Sequence, residues 1–156
     1  MRRLVAAIAV LAAFGALASP AAAKNQPDTD YYYGKGEAKK SDVSFVVNSG
    51  RVRKILMGAG KTKCEKDTST IFKSFGGIPL EGRSFYRGVR FANDSARFVF
   101  AGRIHGAEAN GRMKASFTNS RTGRCDSGRV LWSAHRVPKD EWKKHRHRIS
   151  VSPPRN

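Results

Sequence analysis

Acidic side chains are scarce in this chain: 12 Asp and Glu stand against 30 Lys and Arg, a formal net charge of +18 over 156 residues. Such an excess raises the local concentration of polyanions, an effect that weakens with salt. Cysteine is almost absent. With Cys64 and Cys125 alone and no C-x-x-C spacing, a disulfide-dense scaffold and a zinc ribbon are excluded. No apolar run beyond Leu17 approaches the ~20 residues that a bilayer-spanning helix needs. The hydrolase signatures G-x-S-x-G and H-E-x-x-H are missing, as is a glycine-rich phosphate loop opening a helix.

What is present begins at the N-terminus. Arg2 and Arg3 precede an apolar run from Leu4 to Leu17, which ends in Ser19, Pro20 and Ala21, Ala22, Ala23. That is the order of a secretory signal peptide: charged start, short apolar stretch, small-residue cleavage site. Residues 1–23 are therefore expected to be cleaved after Ala23. The product is a secreted or cell-envelope (periplasmic) bacterial protein with no integral membrane span. The signal holds two of the 30 basic residues and none of the 12 acidic ones, so the remaining 133 residues carry +16. Their number suits a single domain with a real core.

In an oxidising compartment the two cysteines are expected to pair. The bond would close a loop of about 62 residues, for which chain entropy suggests on the order of 4 kcal/mol.

Residues 24–30, rich in Asn, Gln, Pro, Asp and Thr, read as a mobile leader. From Tyr31 to Arg136, short alternating runs separated by Gly, Asn, Ser and Asp recur roughly every ten residues, as in all-β domains. Val43, Phe45 and Val47 share a parity, and Asn48-Ser49-Gly50 signals a turn into the run from Arg51 to Met57. Arg97 to Phe117 reads as a hairpin. On its return arm Met113, Ala115 and Phe117 face one side, and Arg112, Lys114 and Ser116 the other. In the last strand Val130, Trp132 and Ala134 share a side. Arg87 breaks the pattern by falling on the apolar parity of Phe85, Val89 and Phe91.

The expected architecture is an antiparallel β-sandwich of roughly eight strands at 31–136, with a closed β-barrel as the alternative. Residues 137–156, which include Lys143-Lys144-His145-Arg146-His147-Arg148, are expected to form a basic flexible tail outside the core.

The segment from Phe98 to Ala134, with Cys125-Asp126-Ser127-Gly128 and Trp132-Ser133-Ala134, resembles small secreted bacterial β-sandwich proteins of uncharacterised function. The run ending at Cys64 is similar, and together these stretches cover about two thirds of the mature chain. The matching residues are core and turn positions. The resemblance therefore implies a fold and a disulfide, not a catalytic site.

Residues with chemistry of their own are few. His145-x-His147 has metal-ligand spacing, but the surrounding lysines and arginines oppose a divalent cation. His105 with Asp94 or Glu108 could form an acid–base pair. A carboxylate pair for glycoside hydrolysis would have to join distant residues such as Glu37 and Glu81. Tyr31, Tyr32 and Tyr33 could offer a stacking platform, or form a first strand whose alternate rings pack inward. Asn93-Asp94-Ser95 matches a glycosylation sequon but reads as a turn.

No cofactor or metal site is expected. The cations are the candidate site: Arg51, Arg53, Arg103, Arg112, Lys114 and Arg129 on strands, Lys143, Lys144, Arg146 and Arg148 in the tail. They suit a non-enzymatic, monomeric binder of anionic polymers: envelope phosphates, acidic glycans or extracellular nucleic acid. A secreted enzyme with a convergent site and a protein-interaction module are the alternatives.

Overall fold

The computed structural model describes residues 28–91 and 95–150. The expected signal peptide, most of the leader, the Asn93-Asp94 part of the sequon and the last six residues lie outside that range. Among the described residues the chain forms β1 (Asp30–Gly36), β2 (Ser41–Asn48), β3 (Arg51–Cys64), β4 (Thr68–Phe75), β5 (Ile78–Pro79), β6 (Ser84–Arg90), β7 (Ala96–His105), β8 (Glu108–Asn119), β9 (Gly123–Asp126), β10 (Val130–Val137) and α1 (Lys139–Ser150). None of these is a helix long and apolar enough to cross a membrane.

The turns form where the sequence places them. Asn48 pairs with Arg51 across a two-residue loop, and both loop residues, Ser49 (φ 49°) and Gly50 (φ 67°), are left-handed, as a tight hairpin turn matched to strand twist requires. The β7–β8 hairpin runs in unbroken register from Ala96↔Phe117 to His105↔Glu108. Its return arm buries Met113 and Ala115 completely and leaves Arg112 and Lys114 exposed.

The sandwich expectation gives way to its alternative. All pairings are antiparallel, and the ladder β10–β1–β2–β3–β9–β8 returns on itself because β8 also pairs with β10. Six strands thus close into a barrel, β7 and β6 extend the sheet beyond β8, and β4 and β5 flank β3. Two long strands make closure possible. One edge of β8 takes β7 along its length, while the other is divided between β10 (108–113) and β9 (116–119). β3 serves β2 near its start and β9 at Lys63 and Cys64. Closure removes the open edges that two separate sheets would have to protect.

An aromatic cluster fills the core. Phe100 stacks on Trp132 (5.2 Å between centroids), Phe85 lies 5.4 Å from Phe100, and Phe45 meets both Trp132 (5.9 Å) and Tyr32 (4.9 Å). Tyr32 is the inward tyrosine of β1, and its hydroxyl donates to the Gly106 carbonyl at 2.8 Å. Burial, reinforced by Asp30 and opposed by Arg136, raises its pKa above the ordinary tyrosine value. The hydroxyl therefore stays protonated, as that hydrogen bond requires.

Cys64 and Cys125 are register partners joined by the expected disulfide, with Cα atoms 4.0 Å apart. The bond ties β3 to β9.

The segment expected to be a flexible tail is instead helical from Lys139 to Ser150 and docked on the barrel wall. Pro138 accepts the first turn's bond from the Trp142 amide at 3.0 Å. Asp140 and Glu141 then sit in the first turn, where negative charge complements the helix dipole. Trp142 is buried against Val46 and Val137 and 5.4 Å from Tyr31. One turn on, His145 stacks on Tyr33 at 3.8 Å. Arg146 hydrogen-bonds the Lys54 carbonyl and lies over the Trp142 ring, and burial lowers its pKa. The outward tyrosines of β1 are thus covered, which leaves no tyrosine platform. The helix also explains why Val46, on the opposite parity to Phe45, is buried.

Replacing Trp142 with Ala should cost the docked helix about 3 kcal/mol. Limited trypsin cleavage at Lys143 and Lys144 should accelerate while the barrel melts almost as before; an unchanged cleavage rate would show that the helix is held by something else.

Candidate functional site

The antiparallel register arranges the outer face of the wall in rows. Tyr86, Ala101, Arg112 and Leu131 lie side by side across β6, β7, β8 and β10. The Glu37 amide extends this row by donating to the Leu131 carbonyl at 2.9 Å. The neighbouring row runs Ser84, Arg103, Asn110, Ser133, Lys35. With neighbouring strands ~4.8 Å apart, Arg103 and Lys35 stand about 14 Å apart along it.

Between the two rows runs an inward-facing one of Gly102, Gly111, Trp132 and Gly36. Here glycine is required by close approach. A Cβ on Gly111 would fall 2.0 Å from the Ala101 carbonyl oxygen and 2.6 Å from Trp132 Cζ2, and one on Gly102 would fall 2.6 Å from the same ring carbon. Without those atoms the two strands settle onto the indole from outside, and the outer face above them forms an open groove of about 780 Å³.

Arg103, Arg112, Arg129 and Lys35 line the groove, together with Asn110, Ser133 and Leu131. Glu37 is its one carboxylate. Among the described residues none of the three guanidinium groups has a carboxylate partner. Their charge is therefore uncompensated at short range and available to a ligand.

The candidate cations do not share one face. Arg103, Arg112 and Arg129 come together in the groove. Lys114, two residues beyond Arg112 on the same side of β8, is paired with Asp126 at 3.1 Å. Arg51 at the start of β3 donates to the Gly77 carbonyl at 3.2 Å. Arg53 ends the row Val137, Tyr31, Val46, Arg53 on which α1 sits, on the helix side of the barrel and not in the groove, and Lys143, Lys144 and Arg146 are carried by α1 itself. Arg148 lies in the last turns of α1, and its side chain is outside the described set. Lys35, Asn110, Ser133 and Leu131 were not among the candidates read from the sequence, and Glu37 was weighed only as a glycosidase carboxylate with Glu81. The available signal was parity: Lys35 and Glu37 continue the outward series begun by Tyr31 and Tyr33.

The histidines take no part in the groove. His105 and Glu108 face each other across the β7–β8 turn, and His135 pairs with Glu108 from β10. All three are exposed, so nothing there excludes water from an acid–base pair. Among the described residues no group of three His, Cys, Asp or Glu could hold a metal ion.

Fold and site together define a disulfide-stapled antiparallel β-barrel with an arginine-lined groove across its wall. No family model, curated protein or solved structure matches the chain.

Proposed function

We propose that this protein is an exported, non-enzymatic binder of anionic polymers, and that the groove is where they bind. The observation that carries the reading is the gathering of Arg103, Arg112 and Arg129, without carboxylate partners, beside Lys35 in one open groove. An open trough that crosses several strands suits a segment of a long chain better than a small molecule, which is ordinarily enclosed. The signal-like pattern of residues 1–23 and the disulfide fit an oxidising destination outside the cytoplasm, either the envelope or the medium.

Electrostatic recognition of this kind has a salt signature. Binding of a labelled polyanion such as polygalacturonate, polyphosphate or DNA should weaken steeply between 50 and 200 mM salt, with log Kd linear in log salt. The triple variant R103A/R112A/R129A should lose about two to three units of that slope, from three lost contacts at ~0.7–0.9 each. K143A/K144A on the helix should change it less. A triple variant that keeps both the wild-type affinity and slope would remove the groove from the function.

A further inference from the structure

Resting on that reading, we propose that the polymer is an acidic polysaccharide, with its carboxylates on the arginines and its hydroxyls on Glu37, Asn110 and Ser133.

Glu37 is the discriminating residue. It is the one carboxylate in a groove that holds three arginines and a lysine, just past the end of β1 and two residues from Lys35. An ionised carboxylate only accepts hydrogen bonds. The backbone of a polyphosphate or of DNA presents acceptors and negative charge there, so Glu37 would repel it and remain without a donor. A sugar hydroxyl donates to Glu37 and satisfies it.

The second row points the same way. Its stretch within the groove runs from Arg103 to Lys35, with the neutral Asn110 and Ser133 between them. A cation, two uncharged donor–acceptor groups and a second cation match a chain whose charges are separated by hydroxyl-bearing units. They fit less well a backbone charged at every link. Guanidinium forks bind planar carboxylates through two parallel bonds.

The first row adds apolar contact. Tyr86 is 58% exposed and Leu131 38% exposed, and they lie on either side of Ala101 and Arg112. The Tyr86 ring face and Leu131 offer a phosphate no hydrogen bond, whereas a sugar ring has a C–H face to lay against them.

The test uses the mature chain and measures affinity for hyaluronan and polygalacturonate, for hyaluronan with its carboxylates reduced to alcohols, and for polyphosphate. The acidic glycan should bind, and carboxyl reduction should weaken it about tenfold or more, as loss of charge-assisted bonds does. Glu37→Ala should weaken glycan binding about fivefold, the equivalent of one hydrogen bond, while tightening polyphosphate. Tyr86→Ala should weaken the glycan alone, and Arg112→Ala should weaken both ligands. All these positions are exposed, and unchanged melting would show that each variant folds.

If polyphosphate outbinds both glycans and Glu37→Ala improves every ligand, the polysaccharide inference fails and the polyanion reading survives. If no probe binds in an Arg112-dependent way, both fail.

Discussion

Reduction of the Cys64–Cys125 bond should lower the thermal unfolding midpoint by roughly 10–20 °C. The barrel is closed at β3–β9 by two residue pairs, Lys63↔Asp126 and Cys64↔Cys125, where the other seams have longer ladders. Loop bonds extend this contact slightly: the Glu65 amide donates to Arg124 at 3.0 Å and the Lys66 amide to Thr122 at 3.2 Å. The disulfide joins residues 61 apart, and restricting the unfolded chain over that distance is worth on the order of 4 kcal/mol. Against a typical net stability of ~5–15 kcal/mol, that is a large share.

Melting followed by circular dichroism with and without a phosphine reductant measures the effect, and C64A/C125A should reproduce it. Amide exchange should show β9 opening first. A shift below about 3 °C would mean that the seam holds without the bond and that its entropic value is offset elsewhere.

Trp132→Ala should be as damaging to the barrel as loss of the bond, at about 3–5 kcal/mol. The indole is 3% exposed, stacks on Phe100 and Phe85, and fills the space that Gly102 and Gly111 leave open. Removing it leaves a cavity that these glycine backbones cannot close without moving the strands that carry Arg103 and Arg112. Groove affinity should therefore fall together with stability.

Phe is the informative control. The Trp132 ring nitrogen has no hydrogen-bond partner among the described residues, so Trp132→Phe removes volume but breaks no polar contact and should cost roughly 1–2 kcal/mol. Urea unfolding of the three proteins checks this. Equal losses for the Phe and Ala variants would mean that the nitrogen has a partner and the ring's bulk is not what matters.

Part of the site was legible because β parity is a local property. Arg112 and Lys114 alternate with Met113 and Ala115, so their outward placement follows from a period of two, and Arg103 follows from the hairpin that Gly106 turns. The grouping was not legible. Arg103, Asn110, Ser133 and Lys35 come from four strands, and only the register between strands makes them neighbours. Glu37, on which the ligand class turns, is one carboxylate in a scattered set until β1 is placed beside β10.

The helix was hidden for a different reason. Trp142 is the sole apolar residue in the run from Lys139 to Arg148, so no apolar stripe marks the segment, and it reads as a solvated basic arm. Its apolar partners, Tyr31, Val46 and Val137, come from the sheet. Docking thus depends on a surface that exists only once β1, β2 and β10 are assembled.

By itself the sequence determined the all-β class, the turn at Ser49-Gly50, a hairpin within Arg97 to Phe117, the faces of β8 and β10, the excess of positive charge and the one pairing open to two cysteines. Each follows from local alternation, turn chemistry or counting. The tertiary structure alone decided that the sheet closes into a barrel, that the basic C-terminal segment docks as a helix, and that three of ten candidate cations share a groove. Those outcomes depend on which edge of β8 meets β10 and on how closely two glycines let the backbone approach one indole. Both are contacts between residues far apart in sequence, and no local pattern encodes them.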